Sequence, residues 1–291
     1  MAAMTLRWTG ATSGVVNLNT NWIDLATGAA PAGGRYPGST ADYDSVVLDV
    51  APTTALAIYD WSALTALQSF RITPAYNTTV GLQTLKMRAV ADGGQVLVDA
   101  AGAGKVELKG QATAYGEWII LSGRQVELDA KMQTLAMYGG GVLMKAGITV
   151  ATTLLIGYKQ SPTDVTLTIE AGATLPSSIL ALGGNVTCNV ATTNLTISNG
   201  TWKQYGAITA LITQGGILEW HTGAITAATI YGGKLDGSKD QTVRELTAAT
   251  VYPAGSVDLD CGIDAIGIGA GGIAMMGGAI KLPPGMTITD V

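Results

Sequence analysis

The chain has 291 residues, of which 39 are glycine, 47% are hydrophobic and only 13% are charged, with a formal net charge of -5 at pH 7. Phosphate binding needs clustered Lys and Arg, and no such run is present, so a nucleic-acid partner is not expected; every apolar run breaks short of the roughly 18 residues of a membrane helix, which argues against a membrane span. So little charge leaves the polar surface thin, and apolar area is expected to be covered by further copies of the chain, a homo-oligomer for which a trimer is one candidate.

The opening MAAMTLRWTG has no basic stretch followed by an apolar one, so cytosolic synthesis is expected rather than secretion. Residues 7–49 are rich in Gly, Asn, Thr and Pro and end in the strand-like SVVLD of residues 45–49. A stretch of this kind reads as an end cap or docking arm, residues 1–50, because the first coil of a stacked β-structure exposes an apolar end and an unpaired edge. Trp8 and Trp22 would plug the open core as cap residues. As partner-docking residues they would act with Arg35 and Tyr36, since aromatic and arginine side chains are favoured at interfaces.

Trp8-Thr9-Gly10, then Asn21-Trp22, then Pro37 and Asp44-Ser45-Val46-Val47-Leu48-Asp49 resemble the opening that precedes β-helical coils in autotransporter passengers and in structural proteins of tailed bacteriophages. ALTALQSFRITPAYNTTVGL, residues 63–82, is similar to a phrase of the phage proteins in which L-x-x-L-x-x-L/F-x-I is followed by a turn and T-x-G-L. The likeness covers about the first 82 residues, and beyond it only the repetitive style continues. An autotransporter should carry a signal peptide and a C-terminal membrane barrel, and the sequence reads as neither. The resemblance therefore implies a non-enzymatic virion component made in the host cytoplasm, a capsid decoration, cement or head-fibre protein, whose partner is the major capsid protein or another virion protein. A glycan-binding or receptor-binding phage spike and a bacterial surface adhesin are the alternatives.

From residue 51 onward the chain reads as β-solenoid. Helical periodicity is scarce; the best candidate is DWSALTALQSF, residues 60–70, whose Leu64, Leu67 and Phe70 fit a strand edge or a single helical turn equally well. KVELKG (105–110) and QVELDA (125–130) lie 20 residues apart, and QVLVDA (95–100) echoes them.

The clearest pattern is a repeat in the last third. Gly184, Gly200, Gly216, Gly233 and Gly255 each precede a short strand-like phrase and stand 16, 16, 17 and 22 residues apart. Two residues after each glycine comes an apolar column, Val186, Trp202, Leu218, Leu235 and Val257, and next to it a polar one, Thr187, Lys203, Glu219, Asp236 and Asp258. Alternation of period two marks a strand with one buried face. A period of 16 to 22 residues suits one solenoid coil, in which each strand pairs with its equivalent one coil away, and the glycines supply the corners. Stacking then sets Lys203 beside Glu219. In the third column, Cys188, Gln204, Trp220, Gly237 and Leu259, Gln204 would need a buried hydrogen-bond partner, and Trp220 would fill space left by Gly237. The fold class expected is all-β, a parallel β-solenoid over 51–291 behind an irregular cap; a β-sandwich is the alternative, and it gives Lys203 and Glu219 no reason to be adjacent.

Reactive chemistry is sparse. The single histidine, His221, lies one position past an inward residue and is expected to face solvent, with no G-x-S-x-G nearby, so no catalytic residue is assigned. Cys188 and Cys261 read as buried structural thiols, and no metal or cofactor is expected from one His and two distant Cys. Asp236, Asp258, Asp260 and Asp264 could gather into a calcium or acid site, but a solvated polar face is the reading favoured. Trp118, Tyr138, Tyr158, Tyr205 and Tyr231 are unevenly spaced and would support weak glycan binding at most.

Overall fold

A computed structural model describes residues 3–39, 44–54, 67–76, 94–109, 116–157, 165–263 and 265–283. Among these residues the protein is built from β-strands and two single-turn 3-10 helices, with no α-helix. Nearly every strand pairing is parallel, as a solenoid requires and a sandwich does not. The chain divides into two compact units, Met1–Thr153 and Leu154–Val291.

In the first unit the strands are β1 (Thr5–Trp8), β2 (Trp22–Asp24), β3 (Ser45–Leu48), β4 (Ser69–Ile72), β5 (Gln95–Lys109), β6 (Glu117–Asp129), β7 (Lys131–Met137) and β8 (Gly140–Met144). One inward column runs Leu6, Val46, Phe70, Val96, Trp118 and Leu135, each paired with the next and each buried. A second runs Leu48, Ile72, Val98, Ile120 and Met137. The parallel stack therefore begins at residue 5, well inside the segment expected to be an irregular cap. What caps it is β2, which pairs antiparallel with β1 and occupies the edge that the first rung would otherwise leave open.

Phe70 lies within β4 and Leu67 is buried just before it, which decides for a strand; Leu64 lies outside the described residues. KVELKG and QVELDA stack as their spacing suggests, Val106 on Val126 and Leu108 on Leu128. QVLVDA belongs to a different column, where Val96 pairs with Trp118.

The strand β9 (Thr149–Ile156) spans the division between the units. The second unit continues with β10 (Val165–Ile169), β11 (Ser178–Ala181), β12 (Asn185–Cys188), β13 (Thr192–Ile197), β14 (Thr201–Gln204), β15 (Ile208–Thr213), β16 (Ile217–Trp220), β17 (Ile225–Asp236), β18 (Arg244–Asp258), β19 (Ile266–Met275) and β20 (Ala279–Lys281). The chain alternates between two sheets. β10, β12, β14, β16, the later parts of β17 and β18, and β20 form the first. Residues 154–156, β11, β13, β15, the earlier parts of β17 and β18, and β19 form the second.

In the first sheet Leu167, Val186, Trp202, Leu218, Leu235 and Val257 stand in one register column and are buried. Ile179, Leu195, Leu211, Ala228 and Ala249 do the same in the second sheet. Both columns bury apolar area at about 25 cal/mol per Å², and this burial holds successive coils together.

Gly184, Gly200, Gly216 and Gly233 have φ between +70° and +87°, which an L side chain adopts at a cost. They also stack: a Cβ on Gly216 would stand 2.7 Å from the Gly200 carbonyl oxygen, which is already accepting from the Ile217 amide. Gly255 differs. It pairs with Gly233 in register but has no positive φ, and β18 carries one extra residue between this corner and Val251.

Gly216→Ala is expected to cost more than the roughly 1–2 kcal/mol of the left-handed conformation alone, because the backbone beneath it must also shift. Gly147→Ala supplies the comparison, since Gly147 has φ +85° with open space around its missing Cβ. Equal urea midpoints for the two variants would remove the stacking contribution.

Candidate functional site

The four residues read as a docking set are mostly interior. Trp8 and Trp22 are 0% and 1% exposed and pack edge-to-face with ring centroids 4.9 Å apart. Their indole N–H groups donate to the carbonyls of Thr54 and Val16 at 3.1 and 2.7 Å. With both the rings and their polar tips engaged, they plug the core rather than offer surface. Arg35 is 3% exposed and donates to Asp44 Oδ1 at 2.9 Å; the same oxygen accepts from the Met4 amide. Arg35 also lines an open recess of about 630 Å³ with Met4, Asp24 and Leu25. Of the four, only Tyr36 is partly exposed.

The outer side of the first sheet in the second unit carries the charges. Lys203 stands beside Glu219 in register, with Nζ 3.4 Å from Oε2. One rung on, Lys234 lies between Asp236 and Asp258, at 3.0 and 2.9 Å, and Lys281 lies 3.0 Å from Asp260. The carboxylates singled out as a calcium or acid cluster are thus interleaved with ammonium groups, which supply the counter-charge that a cation would; Asp264 lies outside the described residues. Among the described residues no group of three His, Cys, Asp or Glu side chains is placed to hold a metal ion.

Burial tends to raise the Asp236 pKa, but hydrogen bonds from Ser238 and Lys234 outweigh it and hold the carboxyl below its ordinary range. Lys234 is correspondingly raised: burial works against the ammonium, and its bonds to Asp258 and Asp236 prevail. The signs fix a window. A depressed Asp stabilises the fold above its unfolded pKa, about 4, and loses that contribution as pH falls through the folded value. A raised Lys contributes below its unfolded pKa, about 10.4, and loses it as pH rises. Asp236→Asn is therefore expected to lower the melting temperature at pH 7 and to matter progressively less below about pH 4. A loss of the same size at pH 7 and pH 3 would contradict the assignment.

His221 is more covered than its position suggested. Its ring stacks on Tyr205 at 4.4 Å, with Nε2 3.7 Å from Glu219 and Nδ1 3.6 Å from Asp240. Asp240 comes from the loop of residues 237–243, which holds most of the extra length of the 22-residue interval; one further residue sits in the register shift between Ile230 and Gly232. Arg244 secures the loop by donating to the carbonyls of Gly237, Asp240 and Thr242, with its guanidinium 4.8 Å above the Trp220 ring. The nearest side chains to the space beside Gly237, which Trp220 was expected to fill, are those of Ile266 and Arg244. Burial lowers the Arg244 pKa and pushes the Cys188 thiol up to about 11, so Cys188 is a packing group rather than a nucleophile.

Tyr205 and Tyr231 are 39% and 48% exposed, but they stand on different sheets: Tyr205 stacks on His221 and Tyr231 on Tyr252. Trp118 is buried, Tyr138 is half-buried, and Tyr158 lies outside the described residues.

The outer side of the second sheet was not singled out in the sequence. It presents a threonine column, Thr193, Thr209, Thr226 and Thr247, beside Asn194, Ala210, Ala227 and Ala248. Spacings of 16, 17 and 21 residues carry the signal, which the glycine-anchored alignment passed over because it followed only the first sheet. No family model, no curated protein and no solved structure matches this chain.

Proposed function

We propose that this chain is a non-enzymatic structural protein of a tailed-bacteriophage virion, a capsid decoration, cement or head-fibre component whose task is mechanical. The observation that carries the reading is the run of in-register parallel ladders, in each unit begun or lined by tightly stacked apolar columns and bearing on its surface ion pairs that neutralise one another. The opening motif, Trp8-Thr9-Gly10 to Asp44-Ser45-Val46-Val47, supports it as a resemblance. Such ladders resist extension through many parallel hydrogen bonds and place surfaces at fixed heights. His221, the one imidazole, is held between two carboxylates and a tyrosine ring, an arrangement that orders a loop without presenting a nucleophile.

The test is low-resolution imaging of particles from cells expressing a tagged chain. Density on the head is expected, and its absence from every particle overturns the reading. Release of reducing sugar ends from a host glycan would move the protein to the spike class instead.

A further inference from the structure

The two sheets of the second unit differ in charge on their outer sides. The first exposes or half-exposes Lys203, Glu219, Lys234, Asp258 and Lys281. On the second, four successive rungs align Ala191, Ala207, Ala224 and Glu245; the threonine and alanine columns described above; Thr196, Ile212, Thr229 and Thr250; and Ser198, Gln214, Tyr231 and Tyr252. Glu245, at the rim, is the only ionisable acid or base among these positions apart from the two phenols. Leu180 and Ile212 on this side are 38% and 37% exposed.

We infer that this uncharged side is a self-association surface, on which a second copy of the chain packs the same side about a two-fold axis. Three observations select that occupant. The chain carries a net charge of -5, so two copies repel wherever carboxylates meet, and this side lets them approach without apposing any in its centre. Its side chains are small over the central columns, mostly Ala and Thr, and so permit the close sheet-on-sheet approach of about 10 Å. Its size also suits a pair. From Leu155 through Leu180, Thr196, Ile212, Thr229 and Thr250 to Ala274 there are seven rungs. At about 4.8 Å per rung and about 3.3 Å per residue along a six-residue strand, each copy offers roughly 670 Å². Two copies then bury roughly 1,300 Å², which falls within the range of stable specific interfaces. A two-fold pairing covers the whole side, whereas three copies around an axis would touch along its rims.

The inference goes beyond the proposed function: it takes up the homo-oligomer expected from the sparse charge and names the surface that serves it. Sedimentation of the full chain at roughly 100 μM is expected to give a dimer. Ala227→Arg, at the centre, and Thr209→Lys, on the threonine column, each place like charges across the axis and should raise the dissociation constant about 100-fold or more with unchanged circular dichroism. Asn185→Arg, on the outer side of the first sheet, should leave the dimer intact. A monomeric wild type, a trimer, or a dimer that survives both variants overturns the pairing, whatever other protein then covers this side. Imaging separates the two readings: a dimer dissociated by Ala227→Arg but found on no particle keeps this surface and removes the virion assignment, and a monomer found on particles does the reverse.

Discussion

Arg35→Met is expected to destabilise the folded chain by about 3–5 kcal/mol, the range for removing one partner of a buried ion pair. Arg35 and Asp44 are 3% and 0% exposed, and methionine would leave the Asp44 carboxylate buried with the Met4 amide as its remaining described donor. The surface pair Arg7–Asp49 gives the contrast. Its Nε to Oδ1 distance is shorter, 2.6 Å, but the side chains are 33% and 23% exposed. Solvent screening should hold the cost of Arg7→Met to about 1 kcal/mol or less. Urea unfolding of the two variants decides the point. Similar small losses would show that Arg35 does not hold the first unit together, and loss of particle attachment at full stability would return Arg35 to a docking role.

The second large effect is expected at Gln204. Its side-chain oxygen accepts from the Trp202 indole at 2.7 Å, and its amide nitrogen donates to the carbonyls of Val190 and Gly206 at 2.8 and 3.1 Å. Gln204→Leu fits an apolar column but strips the buried Trp202 indole and two half-buried carbonyls of these partners, and about 3 kcal/mol should be lost despite the gain in hydrophobicity. Trp202→Phe removes the indole donor, so it should cost less in the Gln204→Leu background than in the wild type. A coupling energy of about 0.5–3 kcal/mol is expected from the thermal or urea cycle, and strict additivity would sink the network.

Gln204 also shows how far the sequence could be read. It broke the apolar pattern of its column, and its burial could be foreseen only because Val186, Trp202 and Leu218 fixed the register on either side. The second unit was legible for that reason: period-two alternation and stacked glycines reinforce each other over five coils. In the first unit the same stacking hides behind uneven sequence intervals. Val46, Phe70, Val96, Trp118 and Leu135 are 24, 26, 22 and 17 residues apart, so no fixed offset brings them into alignment. A lone charged residue such as Arg35 reads as surface, because its burial depends on Asp44 being folded onto it, and nothing local in the sequence signals that.

The two successive 16-residue intervals from Gly184 to Gly216 make coil number a property separable from the rest of the second unit. Residues 201–216 contain Trp202 and Gln204 together, so their indole-to-amide bond would leave with them. Removal joins Gly200 to Ile217 and sets Leu218 over Val186 and Trp220 over Cys188. The unit would shorten by about 4.8 Å with both of its ends unaltered. A gene for such a chain can therefore set the height of this unit in discrete steps, like a ruler whose graduations are single coils.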